Sequence, residues 1–137
     1  MSVQTQTTSF KAECWTAVHN LLTDTLKIAL YTGNASLDAS TTVYSTTNEI
    51  TGPGYTAGGR IITGVTIGSE GYIVFSSFNN PSWPGALTAR YALIYNSSKG
   101  NRSVAVLDFG ADKTSTNTFT ITLPANTPTT ALLRSSN

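Results

Sequence analysis

The chain has 137 residues, a formal net charge of +1, and charged side chains at only 11% of positions. One His, one Cys and seven carboxylates leave little material for acid–base, nucleophilic or zinc chemistry, and a 39% apolar share with so little charge excludes the composition of a disordered chain. The basic residues Lys11, Lys27, Arg60, Arg90, Lys99, Arg102, Lys113 and Arg134 are dispersed, so no direct nucleic-acid contact is expected.

The length fits one domain, read as a β-rich body over 10–137 behind a flexible N-terminal arm over 1–9. Met1 to Thr8 is rich in Gln and Thr and offers no core face. It has no basic stretch followed by an apolar one, so no cleaved secretion signal is expected. Ser9 reads as a helix N-cap, with Phe10, Cys14, Ala17, Val18 and Leu21 following at helical spacing and an end near Leu22 to Asp24. Cys14, alone in the chain, reads as a small buried hydrophobe on this helix. His19, with no acidic residue three or four positions on, reads as solvent-facing or partly packed.

From Leu26 the period changes to two, and Leu26, Ile28 and Leu30 predict a half-buried strand ended by Gly33-Asn34. Ala35 to Gly59 is rich in Thr and Ser, with a short strand fitting Val43 to Ile50 and a loop over Gly52 to Gly59. Tyr55 in that loop either anchors it to the core or meets a partner. Arg60 to Ile67 and Gly71 to Ser76 predict a hairpin turning at Gly68-Ser69-Glu70-Gly71. Asn79 to Gly85, with Pro81 and Pro84, reads as a turn unable to continue a strand, carrying an exposed Trp83. Strands are expected at Leu87 to Tyr95, Ser103 to Phe109 and Thr118 to Leu123, separated by turns at Ser97 to Asn101 and Gly110 to Asn117, before a last apolar run at Thr130 to Leu133. About seven or eight short strands at this spacing predict a mainly β fold, an antiparallel β-sandwich or jelly-roll-like barrel with one N-terminal helix. No apolar run approaches the roughly 20 residues that cross a bilayer, and no membrane partner is expected.

Chemistry-bearing patterns are weak. Glu49 and Glu70 flank the Gly-rich loop, but a glycan hydrolase needs two carboxylates facing one another across a cleft. Asp108 and Asp112 straddle Gly110 without the dense oxygen ligands of a calcium loop. Gly52 to Gly59 lacks the Lys-Ser/Thr ending of a phosphate cradle. Tyr31, Tyr44, Tyr55, Tyr72, Tyr91, Tyr95, Trp15 and Trp83 serve either as core or as a sugar-stacking platform. No catalytic residue, cofactor or metal ligand is expected, and the chain reads as a non-enzyme. Its sparse charge lowers the solubility of a free monomer and favours life inside an assembly.

Two long segments carry a resemblance. "LKIALYTGNASLDASTTVYSTTNEITGPGYTAGGRIITGVT" (Leu26 to Thr66) and "LTARYALIYNSSKGNRSVAVLDFGADKTSTNTFTITLP" (Leu87 to Pro124) resemble segments of small structural proteins of tailed bacteriophages. There a helix leads into an "xALYT" strand, a Thr-rich stretch, a "GxGYxAGG" loop, and an "ARxAxIYN" strand paired with "AVxxxDFG". The resemblance implies a non-enzymatic virion component assembled in the host cytoplasm. A head decoration (cement) protein on the major capsid protein lattice is the first expectation, and a head-to-tail connector or tail-associated part the second. A carbohydrate- or receptor-binding module is the alternative from another class. A homo-oligomer, dimer or trimer, is expected. Exposure and loop character place the partner contacts at Gln4 and Gln6 in the arm, Pro53 and Tyr55 in the Gly-rich loop, and Pro81 and Trp83 in the Pro-rich turn.

Overall fold

In the computed structural model, which describes residues 3–135, the longest alternating apolar runs pair at the centre of the molecule. Strand β1 (Val3–Gln6) and helix α1 (Thr8–Trp15) are followed by β2 (Leu26–Tyr31), β3 (Arg60–Ile61), β4 (Thr66–Glu70), β5 (Ile73–Ser77) and β6 (Ser82–Pro84). Then come β7 (Thr88–Asn96), a 3₁₀ turn (Ser97–Lys99), β8 (Arg102–Thr114), β9 (Thr118–Thr120) and β10 (Leu133–Ser135). A five-stranded sheet runs β1-β8-β7-β2-β3, a three-stranded sheet β10-β5-β4, and a two-stranded sheet β6-β9. Every pairing is antiparallel, and the fold is mainly β and sandwich-like with a single helix near the N-terminus.

The large sheet is buried on both faces. Register places Leu26, Ile28 and Leu30 beside Ala92 and Ile94, and this face packs with Phe10, Phe78, Trp83, Phe119 and Leu132. On the reverse face Ala29, Tyr31, Leu93, Tyr95 and Val106 are covered by Ala35, Leu37 and Tyr44. Strand β2 is therefore not half-buried as its alternation predicts. Its second face is small or aromatic rather than polar at Ala29 and Tyr31, and the Thr-rich stretch after it folds back as a cover. That cover contains no strand over 43–50, only isolated bridges from Val43 to Arg102 and from Tyr31 to Glu49. Its order comes from side chains: Tyr44 stacks on Tyr95 with ring centroids 4.6 Å apart, and Tyr31 Oη donates to the Ser45 carbonyl.

The expected arm enters the sheet. Val3–Gln6 pairs with β8 in the register Gln4↔Leu107 and Gln6↔Ala105. Hydroxyl and amide side chains disguised a strand whose binding comes from its backbone. Residues 1–2 of the expected arm, and 136–137 of the expected domain, lie outside the described residues. Thr7, not Ser9, caps α1, accepting from Phe10 N at 3.3 Å, and Thr7 is fully buried against Ser103. The helix stops at Trp15, since Ala17 takes a left-handed φ of 61° that ends helical bonding. Only Phe10 of the helix is buried, so Cys14 is exposed rather than part of the core.

Two turns also move. A β4–β5 hairpin is present, but the strand expected over Arg60 to Ile67 is broken: Arg60–Ile61 pairs with β2, only Thr66–Glu70 pairs with β5, and Glu70 lies opposite Ile73, so the turn is Gly71-Tyr72, with Gly71 at φ 61°. Strand β8 runs through the expected turn at Gly110 as far as Thr114. It absorbs that segment as an irregularity: Ala89 pairs with Lys113 and Tyr91 with Asp108. A second irregularity lies between Ile94 and Tyr95, where Val104 is the extra residue and packs in the core. Ser82–Pro84, read as unable to join a strand, pairs with Thr118–Thr120. Both strands are edges of a two-stranded ladder, where the missing proline donor does no harm.

Candidate functional site

Helix α1 and the three-stranded sheet do not close against one another, and an apolar groove of about 850 Å³ lies between them. Phe10, Trp15 and Leu21 form one wall, and Ile67, Val74 and Leu133 the other. Register puts Ile67, Ser76 and Leu133 opposite one another across the sheet, with Val74 on the same face. Trp15 is 92% exposed, Ile67 48% and Val74 49%, which marks this as the principal uncovered apolar surface of the described residues. Among the described residues that line the groove, Lys11 and Arg134 are the charged ones, and the Arg134 guanidinium donates to the Thr129 carbonyl. Cys14 stands at its mouth, where partial desolvation and the neighbouring Glu13 carboxylate push the thiol above its ordinary value. That is the reverse of what a nucleophile needs. Gln6 closes one end, its amide donating to the Arg134 carbonyl at 2.6 Å.

Beside the groove lies a buried polar network that the sequence did not announce. The early end of α1 lets His19 fold back under Phe10, ring centroids 4.9 Å apart, with its side chain fully buried. Asn96 Nδ2 donates to Nδ1 at 3.0 Å, so the proton sits on Nε2 and is shared with Glu13 Oε1 at 2.8 Å. The same Asn96 amide donates to Asp24 Oδ2 at 2.7 Å, Lys99 Nζ lies 3.2 Å from Asp24, and Arg102 reaches Glu13 at 3.3 Å. Burial pushes the Asp24 carboxyl upward, but donation from Asn20 N–H, Asn96 and Lys99 outweighs it and holds the group below its ordinary value. Both imidazole nitrogens are engaged within the fold. The arrangement ties residues 16–25 to the β7–β8 turn and leaves no free base beside a nucleophile.

The Gly-rich loop is held by a second cluster. Glu49 accepts from Tyr44 Oη at 2.7 Å, Tyr55 Oη at 2.5 Å and Gly58 N at 2.8 Å. Tyr55 Oη also accepts from Leu30 N at 3.0 Å, and Tyr95 Oη donates to the Gly58 carbonyl at 2.6 Å. Burial, reinforced by the Glu49 charge, pushes the Tyr31, Tyr44 and Tyr55 phenols up, and Tyr95 up to about 12. These groups stay protonated and serve as donors. Of the two readings of Tyr55, its hydroxyl adopts the anchoring one.

The six expected contact residues separate accordingly. Gln4 and Gln6 sit half-buried in β1, and of the two it is Gln6 that lines the groove. Pro53 is exposed, Tyr55 half-buried, Pro81 buried with its carbonyl accepting from Ile121 N, and Trp83 only 3% exposed. Trp83 packs edge-on against Phe119 and beside Tyr55, so the exposed Trp83 expected of the Pro-rich turn is a core residue, and a sugar platform built on it has no face to offer. The Gly-rich loop and the Pro-rich turn do meet: a Cβ on Gly54 would overlap the Pro84 carbonyl oxygen, and one on Gly85 the Pro53 carbonyl oxygen. Glu49 and Glu70 do not form a pair, since Glu49 faces the tyrosines while Glu70 is at the exposed β4–β5 turn. Asp108 is occupied by Gly110 N and Arg90. No group of three or more His, Cys, Asp or Glu suited to a metal occurs among the described residues.

Sequence reasoning missed the groove, because its walls come from α1, β4–β5 and β10, and its one local signal was the side chains of Ile67 and Val74 facing outward from a hairpin. Comparison with protein-family models, with curated proteins and with solved structures finds no match for this chain.

Proposed function

We propose that the chain is a non-enzymatic structural subunit of a tailed-phage virion, a capsid decoration protein that binds the major capsid protein lattice. The observation carrying this reading is the contrast between its polar and apolar groups. His19, Glu13, Asp24, Glu49 and Asp108 are spent on internal hydrogen bonds, whereas Trp15, Ile67 and Val74 stand uncovered around one groove. A subunit that binds a preformed lattice gains from such a surface, because burying apolar and hydroxyl groups there desolvates few charges. Symmetric copies add avidity, one seated contact raising the effective concentration of the next. The resemblance of Leu26 to Thr66 and Leu87 to Pro124 to small virion proteins supports the same assignment.

Electron microscopy of the particle that carries this chain tests the reading. Copies distributed over the shell faces are expected. Copies confined to one vertex would replace decoration by a connector or tail role, and absence from the particle would overturn the structural reading altogether. Trp15→Ala, at a fully exposed position, is expected to lower shell occupancy without changing thermal stability.

A further inference from the structure

The apolar spacing of Phe10, Cys14, Ala17, Val18 and Leu21 suits one helix running to about Leu22, yet α1 stops at Trp15 and residues 16–25 form no regular element. Ala17, at an exposed position, takes a left-handed φ of 61°, a conformation that a residue with a Cβ adopts only at a cost. The compensating contacts are those of His19. Its buried ring packs on Phe10, its Nε2–H is donated to Glu13, and its Nδ1 accepts from Asn96. Asn96 is fixed in that orientation, because its amide also donates to Asp24 and its Oδ1 accepts from Ser98 N at 3.1 Å. A flipped amide would set oxygen against the Asp24 carboxylate and nitrogen against an N–H. The charged groups about the ring are Glu13 of α1, Arg102 of β8, Asp24 ahead of β2 and Lys99 of the 3₁₀ turn, whereas Lys11 and Cys14 of α1 line the groove.

We infer that residues 16–22 are a two-state segment switched by the His19 proton: folded back while the ring is neutral, and a continuation of α1 once the ring takes a second proton. The neutral ring already donates to Glu13, so the new proton lands on Nδ1 and faces the Asn96 N–H. An acceptor is lost, a donor meets a donor, and a fully buried side chain becomes charged. Glu13 attracts that charge, but Arg102 already shares its carboxylate. The helical alternative gains from the same proton. In a helix ending near Leu22, His19 falls in the last turn, where the carbonyl end of the dipole favours a cation. Ala17 there leaves its left-handed backbone for the conformation that alanine favours most. Trp15 and Leu21 line the groove, so the switch also reshapes that surface. It is independent of the virion role.

Backbone carbon shifts and far-ultraviolet circular dichroism of the full chain, followed from about pH 7.5 down to about pH 5, test the switch across the range in which an imidazole changes charge. Helical shifts over 16–22 and a matching gain of helical dichroism are expected as pH falls. The ring nitrogen shifts of His19, the chain's one imidazole, are expected to show the proton on Nε2 at the upper end. His19→Gln, whose neutral amide offers one donor and one acceptor, is expected to keep 16–22 non-helical throughout. Ala17→Gly, at an exposed position, accepts the left-handed backbone freely and weakens the helix. It is expected to move the midpoint about 1 pH unit lower. Residues 16–22 unchanged down to the lowest pH overturn the inference. So does a helical gain that persists in His19→Gln, which would assign it to the carboxylates, or a midpoint indifferent to Ala17→Gly. Loss of the near-ultraviolet dichroism without helical shifts overturns it as well, since the proton would then unfold the chain rather than switch it.

Discussion

Glu49 accepts three hydrogen bonds from groups that belong to the cover over the large sheet, and that makes it the residue on which the Gly-rich loop depends. Glu49→Gln keeps the shape but replaces a charged acceptor by an amide whose nitrogen faces a hydroxyl or N–H donor. A loss of about 1–3 kcal/mol in chemical denaturation is expected, together with faster amide exchange at Gly58. Equal stability of the variant would mean that the tyrosines hold the loop unaided. Trp83 is the opposite case, a residue whose apparent function dissolves into packing. Its indole is buried against Phe119, and its Nε1 finds no partner among the described residues. Trp83→Ala is expected to cost about 3–5 kcal/mol of stability. Any loss of binding in that variant then needs a thermal melt beside it before it is read as recognition.

At the scale of elements, the Gly-rich loop and the Pro-rich turn form one unit because their backbones touch. Gly54 sits at φ 80° with the Pro84 carbonyl where a Cβ would stand, so Gly54→Ala meets both a left-handed backbone and an overlap. A loss of at least about 2 kcal/mol is expected, whereas Gly71→Ala, with open space around it, bears the backbone term alone and is expected to lose less. Comparing the two by urea titration separates contact from conformation. The same contrast explains what could be read in advance. Strands β2 and β7 were legible because Leu26, Ile28 and Leu30 and Leu87 to Tyr95 carry their pairing in side-chain alternation. Strand β1 was not, because Gln4 and Gln6 are polar and its partner lies about a hundred residues away, at Leu107 and Ala105. The helix end at Trp15 was hidden for a similar reason: the pull on His19 comes from Asn96, on another strand. The groove left only the outward Ile67 and Val74 as a local sign, being a gap among α1, β4, β5 and β10 rather than a pattern within one element.

For the whole molecule, stability against pH is set by two distinct groups of side chains. On the acid side, Asp108 is held below its ordinary value by Gly110 N–H and Arg90, and Asp24 by donors that outweigh its burial. A depressed carboxyl contributes stability that is present above its unfolded value, near 4, and is lost as pH falls through the lower folded one. On the alkaline side the sign reverses. Burial, with the Glu49 charge, raises Tyr31, Tyr44 and Tyr55, and brings Tyr95 up to about 12. The unfolded chain releases these protons near pH 10 and the folded chain does not, so the unfolded state binds fewer protons and stability falls from about pH 10 upward. Ionisation of Tyr31, Tyr44, Tyr55 and Tyr95, read as absorbance at 295 nm, is then expected only above pH 10 and together with loss of the near-ultraviolet dichroism. Smooth ionisation of these four tyrosines near pH 10 with the dichroism intact would mean that the Glu49 cluster is open to solvent, and that the cover over the large sheet is not the fixed layer on which its second core depends.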